Sequence, residues 1–196
     1  MSDESLPDLT AKDALLVVDV QNDFCPGGAL PVPDGDEVVP ELNRWIDHAR
    51  ARGAVVAASR DQHPENHVSF ADRGGPWPRH CVRQSHGAAY HPELELPDDA
   101  IDLAKGEDPE RDQYSAFDDT GLASMLRRRG VERVWVGGLA EDVCVEATVR
   151  DALDAGFEVR LLTAATRAVD PDRAPELERR LAQAGAVLEP RSFAHA

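Results

Sequence analysis

Residues 14–20 read ALLVVDV, a near-continuous apolar run with the length of one β-strand. After a stretch rich in proline and glycine, residues 36–52 place apolar side chains at the spacing of an amphipathic helix. Gly53 ends that helix, and residues 54–59, AVVAAS, form a second apolar run. This part of the chain therefore predicts strand, helix and strand, the unit from which parallel sheets are built.

The same alternation continues to the end of the chain. A third and less distinct strand is predicted at residues 100–104, and the later predicted elements are a helix at 121–129, a strand centred on 134–136, a helix at 143–155, a strand at 157–162, a helix at 175–183 and a short strand near 187. The pattern favours an α/β, doubly wound fold, with a mostly parallel six-stranded sheet and helices on both faces. We expect a single domain over residues 1–196, in which the long link at about 60–99 is a functional loop.

Composition narrows the class of function. The chain has 196 residues, of which 42% are hydrophobic, enough for one ordinary core. Its 21 Lys and Arg against 37 Asp and Glu give a net charge of −16, which argues against nucleic acid or a membrane surface as a partner. No apolar run approaches the roughly 20 residues that span a bilayer, and the polar start is unlike a secretory signal. We therefore expect a cytoplasmic protein whose three cysteines are free thiols.

Three chemically distinct residues fall at the ends of predicted strands. Asp19 ends the first strand, Lys105 follows the third, and Cys144 opens the helix after the fourth, so the fold brings an acid, an amine and a thiol to one edge. Each alone has an ordinary alternative: a solvated acid, a surface cation or a small buried thiol. Together they suit an activated thiol, because a helix start and an ammonium lower a thiol pKa and the carboxylate can accept the proton.

The long loop contains a second group of polar residues. Residues 59–70 read SRDQHPENHVSF, and residues 77–81 read WPRHC. In an extended segment Asp61 and His63 would point the same way, and His67 and His80 can fold back towards them. A carboxylate with imidazoles suits zinc, iron or manganese and leaves a position open for a substrate. The alternative is that these are ordinary polar loop residues.

Four stretches carry a family resemblance, at residues 18–30 (VDVQNDFCPGGAL), 59–82, 105–119 and 137–153. In these stretches the chain resembles the nicotinamidases, the pyrazinamidase/nicotinamidase subfamily of the isochorismatase-like cysteine hydrolases. The first and last stretches are typical of the whole superfamily, whereas D-x-H-P followed by W-P-x-H-C is typical of the subfamily. The resemblance implies the isochorismatase-like hydrolase fold.

The resemblance also implies catalytic roles. Cys144 would be the nucleophile, Asp19 the acid and base, and Lys105 their partner. The backbone N–H groups of Ala140 and Cys144 would form the oxyanion hole, with a cis peptide bond before Ala140. Val143 departs from the family, which often has Tyr or His at this position.

A metal site and a substrate pocket are implied as well. Asp61, His63 and His80 would hold one divalent metal ion, for which we expect zinc, with iron or manganese as the alternatives. The spacing to His67 differs from that of relatives with a further histidine ligand, so this residue is assigned either to the metal shell or to its surroundings. The aromatic residues that would line the pyridine pocket are Phe24, Trp77 and Tyr114, although packing alone would also explain them.

The implied reaction is the hydrolysis of nicotinamide to nicotinate and ammonia through a cysteine thioester, a step in the recycling of pyridine nucleotides. Pyrazinamide is a further expected substrate. Three alternatives stay open: an amidase for another small amide or carbamoyl compound, a metallohydrolase in which Cys144 is incidental, and a non-enzymatic binding module on the same fold. Isochorismate cleavage is disfavoured because it does not use this cysteine, and the sequence leaves open whether the chain is a homo-oligomer.

Overall fold

The computed structural model describes residues 7–190, in which strands and helices alternate. The strands are β1 (Asp13–Val18), β2 (Val55–Asp61), β3 (Ile101–Lys105), β4 (Arg133–Leu139), β5 (Glu158–Arg167) and β6 (Val187–Glu189). The α-helices are α1 (Val38–Ala51), α2 (Leu122–Arg128), α3 (Glu146–Asp154) and α4 (Ala174–Ala184). The strands form one sheet in the order β3-β2-β1-β4-β5-β6, with every pair parallel. The predicted doubly wound sheet is confirmed.

The strand order places a crevice at one edge of the sheet. The chain runs outward from β1 through β2 to β3 and then crosses back to β4, on the other side of β1. Such a reversal leaves a gap beyond the carboxyl ends of the two central strands, where ligands bind in folds of this type. Asp19 follows β1, and Ala140 follows β4. The topology therefore puts two of the predicted site residues beside this gap.

Helices cover both faces of the sheet. On one face α1 buries Leu42 and Trp45, and the Trp45 ring lies 5.4 Å from the ring of Trp135 on β4. On the other face α2, α3 and α4 bury Leu126, Val149 and other apolar side chains against alternate residues of β1 and β4. Burial on both sides explains why the strands appear in the sequence as continuous apolar runs. Within residues 7–190, no helix has the length and apolar character needed to cross a bilayer.

β2 ends at Asp61 and β5 at Arg167, beyond their predicted ends at 59 and 162. Two further boundaries differ from the prediction, and both lie at the crevice. The first strand ends at Val18, because Asp19 adopts a positive φ of 48° that turns the chain out of the sheet. The helix predicted from residue 143 begins instead as a π-helical turn, Glu141–Val145, which continues into α3. The wider turn places Cys144 before the regular helix begins.

The opposite end of the sheet is held by a buried carboxylate. Asp13, only 1% exposed, accepts hydrogen bonds from Thr10, Arg133 and Trp135. Burial alone would raise the pKa of Asp13, but these donors hold it below its ordinary value. We expect Asp13→Asn to lower the free energy of unfolding at pH 7 by about 2 kcal/mol. Because the folded pKa is depressed, this difference should shrink as the pH falls through 4, as urea unfolding at pH 7 and pH 3.5 would test. An undiminished difference at pH 3.5 would contradict this role for the charge.

Candidate active site

Asp19, Lys105 and Cys144 lie together beyond the carboxyl ends of the central strands. The Nζ atom of Lys105 is 2.7 Å from Oδ2 of Asp19 and 3.6 Å from Sγ of Cys144. Asp19 and Lys105 are at most 1% exposed, and Cys144 is 5% exposed. The structure thus brings the predicted acid, amine and thiol to one buried point.

Two carboxylates, of Asp19 and Asp61, surround the single ammonium of Lys105. Burial opposes the charged form of Lys105, but the carboxylates of Asp19 and Asp61 raise its pKa well above the ordinary value. Burial raises the pKa of Asp19, and Lys105 acts in the opposite direction. Lys105 is therefore a permanent cation, and Asp19 is a stronger base than an exposed carboxylate.

The thiol pKa moves against the expectation from the sequence. Burial raises the pKa of Cys144 well above its usual value, although Lys105 pulls it down. The predicted lowering by the helix start and the ammonium is wrong for this structure, because removal of the thiolate from water outweighs both. Cys144 is thus a neutral thiol at rest, and a carboxylate oxygen of Asp19 lies within 4.8 Å of its sulfur.

The predicted metal ligands Asp61, His63 and His80 also meet. One ligand atom from each lies within 4.8 Å of the others, and all three residues are buried. Oδ1 of Asp61 is 2.6 Å from Lys105 Nζ, and Oδ2 is 3.6 Å from Nε2 of His63. Asp61 therefore connects two clusters of side chains. One of its oxygens faces Lys105, and the other faces His63.

Backbone carbonyls fix how the two imidazoles point. Nδ1 of His63 donates to the carbonyl of Gly106 at 2.9 Å, and Nδ1 of His80 donates to the carbonyl of Pro78 at 2.7 Å. A carbonyl only accepts, so Nδ1 carries a proton in each ring, and in the neutral form of the ring Nε2 is the nitrogen with a free lone pair. Burial lowers the pKa of His80, which favours the neutral ring that a metal requires. One carboxylate and two such imidazoles fit zinc, iron or manganese and leave positions open.

His67 lies beside this cluster but outside it. Its ring stacks on His63, with ring centroids 4.1 Å apart. Nε2 of His67 donates to the carbonyl of Arg111 at 3.0 Å, and Nδ1 accepts from the backbone N–H of Ser69 at 3.2 Å. Both ring nitrogens are thus occupied by protein partners. This geometry fits the alternative in which His67 lies next to the metal ligands and is not itself a ligand.

The predicted aromatic residues Phe24, Trp77 and Tyr114 line one pocket, together with the thiol and the three metal-site residues. The Trp77 Nε1 atom donates to the Tyr114 hydroxyl at 3.2 Å, which joins two separate loops across the pocket. The Phe24 ring lies 5.6 Å from the His80 ring. A flat aromatic ligand would therefore meet aromatic walls beside both the Cys144 thiol and the candidate metal ligands.

The turn before Cys144 forms the remaining wall. The peptide bond between Leu139 and Ala140 is cis, as the family resemblance implies. The Ala140 carbonyl accepts from the N–H groups of Val143 and Val145 at 3.1 and 3.0 Å. Ala140 and Val143 both line the pocket, so the residue that departs from the family lies on its surface.

Gly106 and Gln113 also support the site, and the sequence analysis missed both. Gly106 supplies the carbonyl that orients His63, and its own N–H donates to Oε1 of Gln113 at 2.8 Å. The Gln113 carbonyl in turn lies 3.5 Å from Lys105 Nζ. Gly106 directly follows a strand end, so the rule that identified Lys105 also applies to it.

Gly106 has no room for a side chain. Its φ is +67°, and an added Cβ would lie 2.4 Å from Cε1 of His63. We expect Gly106→Ala to push the His63 ring away and weaken metal binding about 10-fold or more. Competition with a chromogenic chelator would measure this affinity. Gly130→Ala is the control for a positive φ, because nothing lies within 4 Å of its Cβ, and equal losses in the two variants would contradict the steric argument.

Comparison with known proteins agrees with this geometry. The isochorismatase domain family model matches residues 13–190. A nicotinamidase of Escherichia coli K12 is 43% identical, over 89% of this chain and 93% of the relative. The crystal structure of a Pyrococcus horikoshii pyrazinamidase in complex with zinc is 46% identical, with a TM-score of 0.88, over 91% of this chain and 98% of the other. The structure of PnC1 from L. infantum in complex with nicotinate is 39% identical, with a TM-score of 0.84, over 92% and 94% of the two chains.

Proposed function

The chain belongs to the isochorismatase family, and we propose that it hydrolyses nicotinamide to nicotinate and ammonia. One observation carries the proposal: a buried thiol and a three-residue metal site line the same aromatic pocket. A thiol suits attack on an amide, and a metal next to aromatic walls suits a ring with a basic nitrogen. The relatives named nicotinamidase and the nicotinate complex support this choice of substrate.

The metal would be held by Asp61, His63 and His80, and zinc is the first choice, because a 46% identical relative is described in complex with zinc. When bound, such an ion would supply a Lewis acid for the pyridine nitrogen and so orient the ring. Phe24, Trp77 and Tyr114 would hold the faces of the ring. His67 would keep the His63 ring in place by stacking on it.

The thiol of Cys144 begins the reaction. Its sulfur attacks the amide carbon, and Asp19 takes the thiol proton as the carbon–sulfur bond forms. Because the thiol is neutral at rest, this proton transfer accompanies attack. The negative charge then moves to the former carbonyl oxygen, where the N–H groups of Ala140 and Cys144 would donate to it.

Asp19 then acts as a general acid. It returns the proton to the amide nitrogen, the carbon–nitrogen bond breaks, and ammonia leaves behind a thioester on Cys144. Asp19 next takes a proton from water as the water oxygen attacks the thioester carbon. The carbon–sulfur bond then breaks, Asp19 returns the proton to the sulfur, and the product leaves as nicotinic acid, which ionises to nicotinate. Lys105 stays protonated throughout and stabilises the carboxylate form of Asp19 on which both halves depend.

Three further assignments accompany the proposal. Pyrazinamide offers a similar ring nitrogen and amide, so we propose it as a second substrate. We propose a cytoplasmic location on the basis of three free, buried thiols, Cys25, Cys81 and Cys144. We also propose that residues 1–196 form one domain, with residues 60–99 as its metal-binding loop.

Ammonia release from nicotinamide by purified, metal-loaded protein tests the function. We expect release that is lost after chelation and restored by a stoichiometric divalent metal. An N-carbamoyl amino acid and a simple aliphatic amide serve as comparison substrates. A folded, metal-loaded protein that hydrolyses one of these but not nicotinamide would overturn the pyridine assignment.

A further inference from the structure

Two uncharged residues, Ser59 and Gln21, form a crossed clamp between the ends of β1 and β2. Ser59 on β2 accepts the backbone N–H of Asp19 at 3.0 Å and donates its hydroxyl to Oδ1 of Asp19 at 2.7 Å. Gln21, beyond β1, accepts the N–H of Asp61 at 2.8 Å and donates to the Asp61 carbonyl at 2.9 Å. Each segment thus holds the functional carboxylate residue of the other.

The hydrogen bonds of the clamp lie where the regular pairing of β1 with β2 ends. Their last paired residues are Val18 and Ser59, after which Asp19 leaves the sheet with its positive φ. β2 continues to Asp61, so its final residues lose their neighbours on the β1 side. Buried backbone groups need partners, which the Gln21 side chain provides for Asp61 and the Ser59 carbonyl provides for the N–H of Asp19.

Ser59 selects which oxygen of Asp19 is available. The Ser59 hydroxyl occupies Oδ1, whereas Oδ2 forms an ion pair with Lys105 Nζ at 2.7 Å. Asp19 is completely buried, and so its carboxylate has no bulk water to orient it. The hydroxyl therefore leaves Oδ2 as the oxygen for proton exchange.

Gln21 acts on a different residue. One amide group bonds both the N–H and the carbonyl of Asp61, and its Nε2 atom also donates to the carbonyl of Ala88 at 2.9 Å. These three bonds fix the rotation of the Asp61 backbone from which its side chain projects. Gln21 is fully buried, so water cannot replace them.

We propose that Ser59 and Gln21 are positioning residues with separate roles: Ser59 orients the Asp19 carboxylate for proton transfer, and Gln21 fixes Asp61 for metal binding. The inference rests on the proposed function for the role of Ser59. The role of Gln21 rests only on the donor set of the metal site.

The Ser59 role is tested by steady-state kinetics with nicotinamide and metal-loaded protein. Ser59→Ala should lower kcat about 10- to 100-fold, the value of a hydrogen bond to a charged group, and change KM by less than about threefold. Ser59→Thr keeps the hydroxyl and should recover most of the loss. Ser115→Ala is the matched control, since it removes another buried hydroxyl whose hydrogen bond is to the backbone of Phe117.

The Gln21 role is tested without substrate. Gln21→Met keeps the side-chain length but removes all three bonds, and it should weaken zinc affinity about 10- to 100-fold in competition with a chromogenic chelator. Ser59→Ala should bind zinc as the wild type does. Circular dichroism and thermal unfolding show whether each variant is folded before it is compared, and Gln21→Glu replaces Gln21→Met if that variant does not fold.

The proposal is supported if Ser59→Ala lowers kcat but leaves zinc affinity unchanged, while Gln21→Met weakens zinc affinity. It is overturned if Ser59→Ala keeps its kcat or weakens zinc affinity as strongly as Gln21→Met, or if Gln21→Met binds zinc normally. A wild type that binds zinc but releases no ammonia from nicotinamide refutes the proposed function instead, and the zinc assay then still decides the role of Gln21.

Discussion

Replacing Cys144 by alanine is expected to reduce nicotinamide hydrolysis by about 10⁴-fold or more, because no other nucleophile is placed to form the thioester. Asp61, His63 and His80 form the candidate metal site without the sulfur, which lies 3.6 Å from Lys105 Nζ. Metal content should therefore stay at the wild-type level. Ammonia release and elemental analysis of the same preparation measure both effects.

Cys25→Ala provides the matched control. Cys25 is also a buried free thiol, but it lies beside a separate surface cleft lined by Pro26 and His86. We expect this variant to retain its turnover. A brief reaction of the wild type, quenched in acid and examined by mass spectrometry, should show a nicotinoyl adduct on the Cys144 peptide. Retained turnover in Cys144→Ala would favour a metallohydrolase mechanism and remove the covalent one.

Replacing Lys105 by methionine is expected to abolish turnover and also to destabilise the fold. Lys105 Nζ lies 2.7 Å from Asp19 and 2.6 Å from Asp61, and all three side chains are buried. Removal of the cation leaves two buried carboxylates without the ammonium that neutralises them, which costs about 3–5 kcal/mol of unfolding free energy at pH 7. Lys105→Arg should not restore turnover, because a planar guanidinium does not fit the space of a compact ammonium.

The pH dependence of this loss has a definite sign. Without the ammonium, burial holds the pKa of the Asp19 carboxyl further above its unfolded value, so this group favours folding only when protonated. The loss in Lys105→Met should therefore be largest at pH 7 and smaller at pH 5, as urea unfolding in the presence of a chelator would show. Lys12→Met is the control, since Lys12 forms an exposed pair with Glu132, and its removal should leave stability nearly unchanged. An equal loss at both pH values would contradict the electrostatic explanation.

Most of the fold was predictable because parallel strands are buried on both faces. Such strands appear as uninterrupted apolar runs, and the helices between them carry a 3.6-residue period. Beside the crevice the prediction was wrong at the end of β1 and at the start of α3. At both places the backbone departs from the regular element, with a positive φ at Asp19 and a π-helical turn before Glu146, and an apolar pattern carries no signal for either conformation.

The candidate site was predictable to a similar extent. Asp19, Lys105 and Cys144 stood out because the carboxyl ends of parallel strands meet at one edge. The direction of the thiol pKa was not predictable, since a helix start and a lysine are visible in the sequence but the depth of burial is not. Ser59 and Gln21 escaped notice because their importance lies in bonds that cross between two segments.

The sequence by itself determined the alternation of strands and helices, and with it the edge where the acid, the amine and the thiol meet. It also determined that a carboxylate and histidines occur in the loop after β2. Only the tertiary structure decided that His80 joins Asp61 and His63 while His67 is bonded to Arg111 and Ser69. The physical reason is that sequence spacing specifies direction and distance only within one regular element, whereas contacts between loop residues depend on how the whole chain packs.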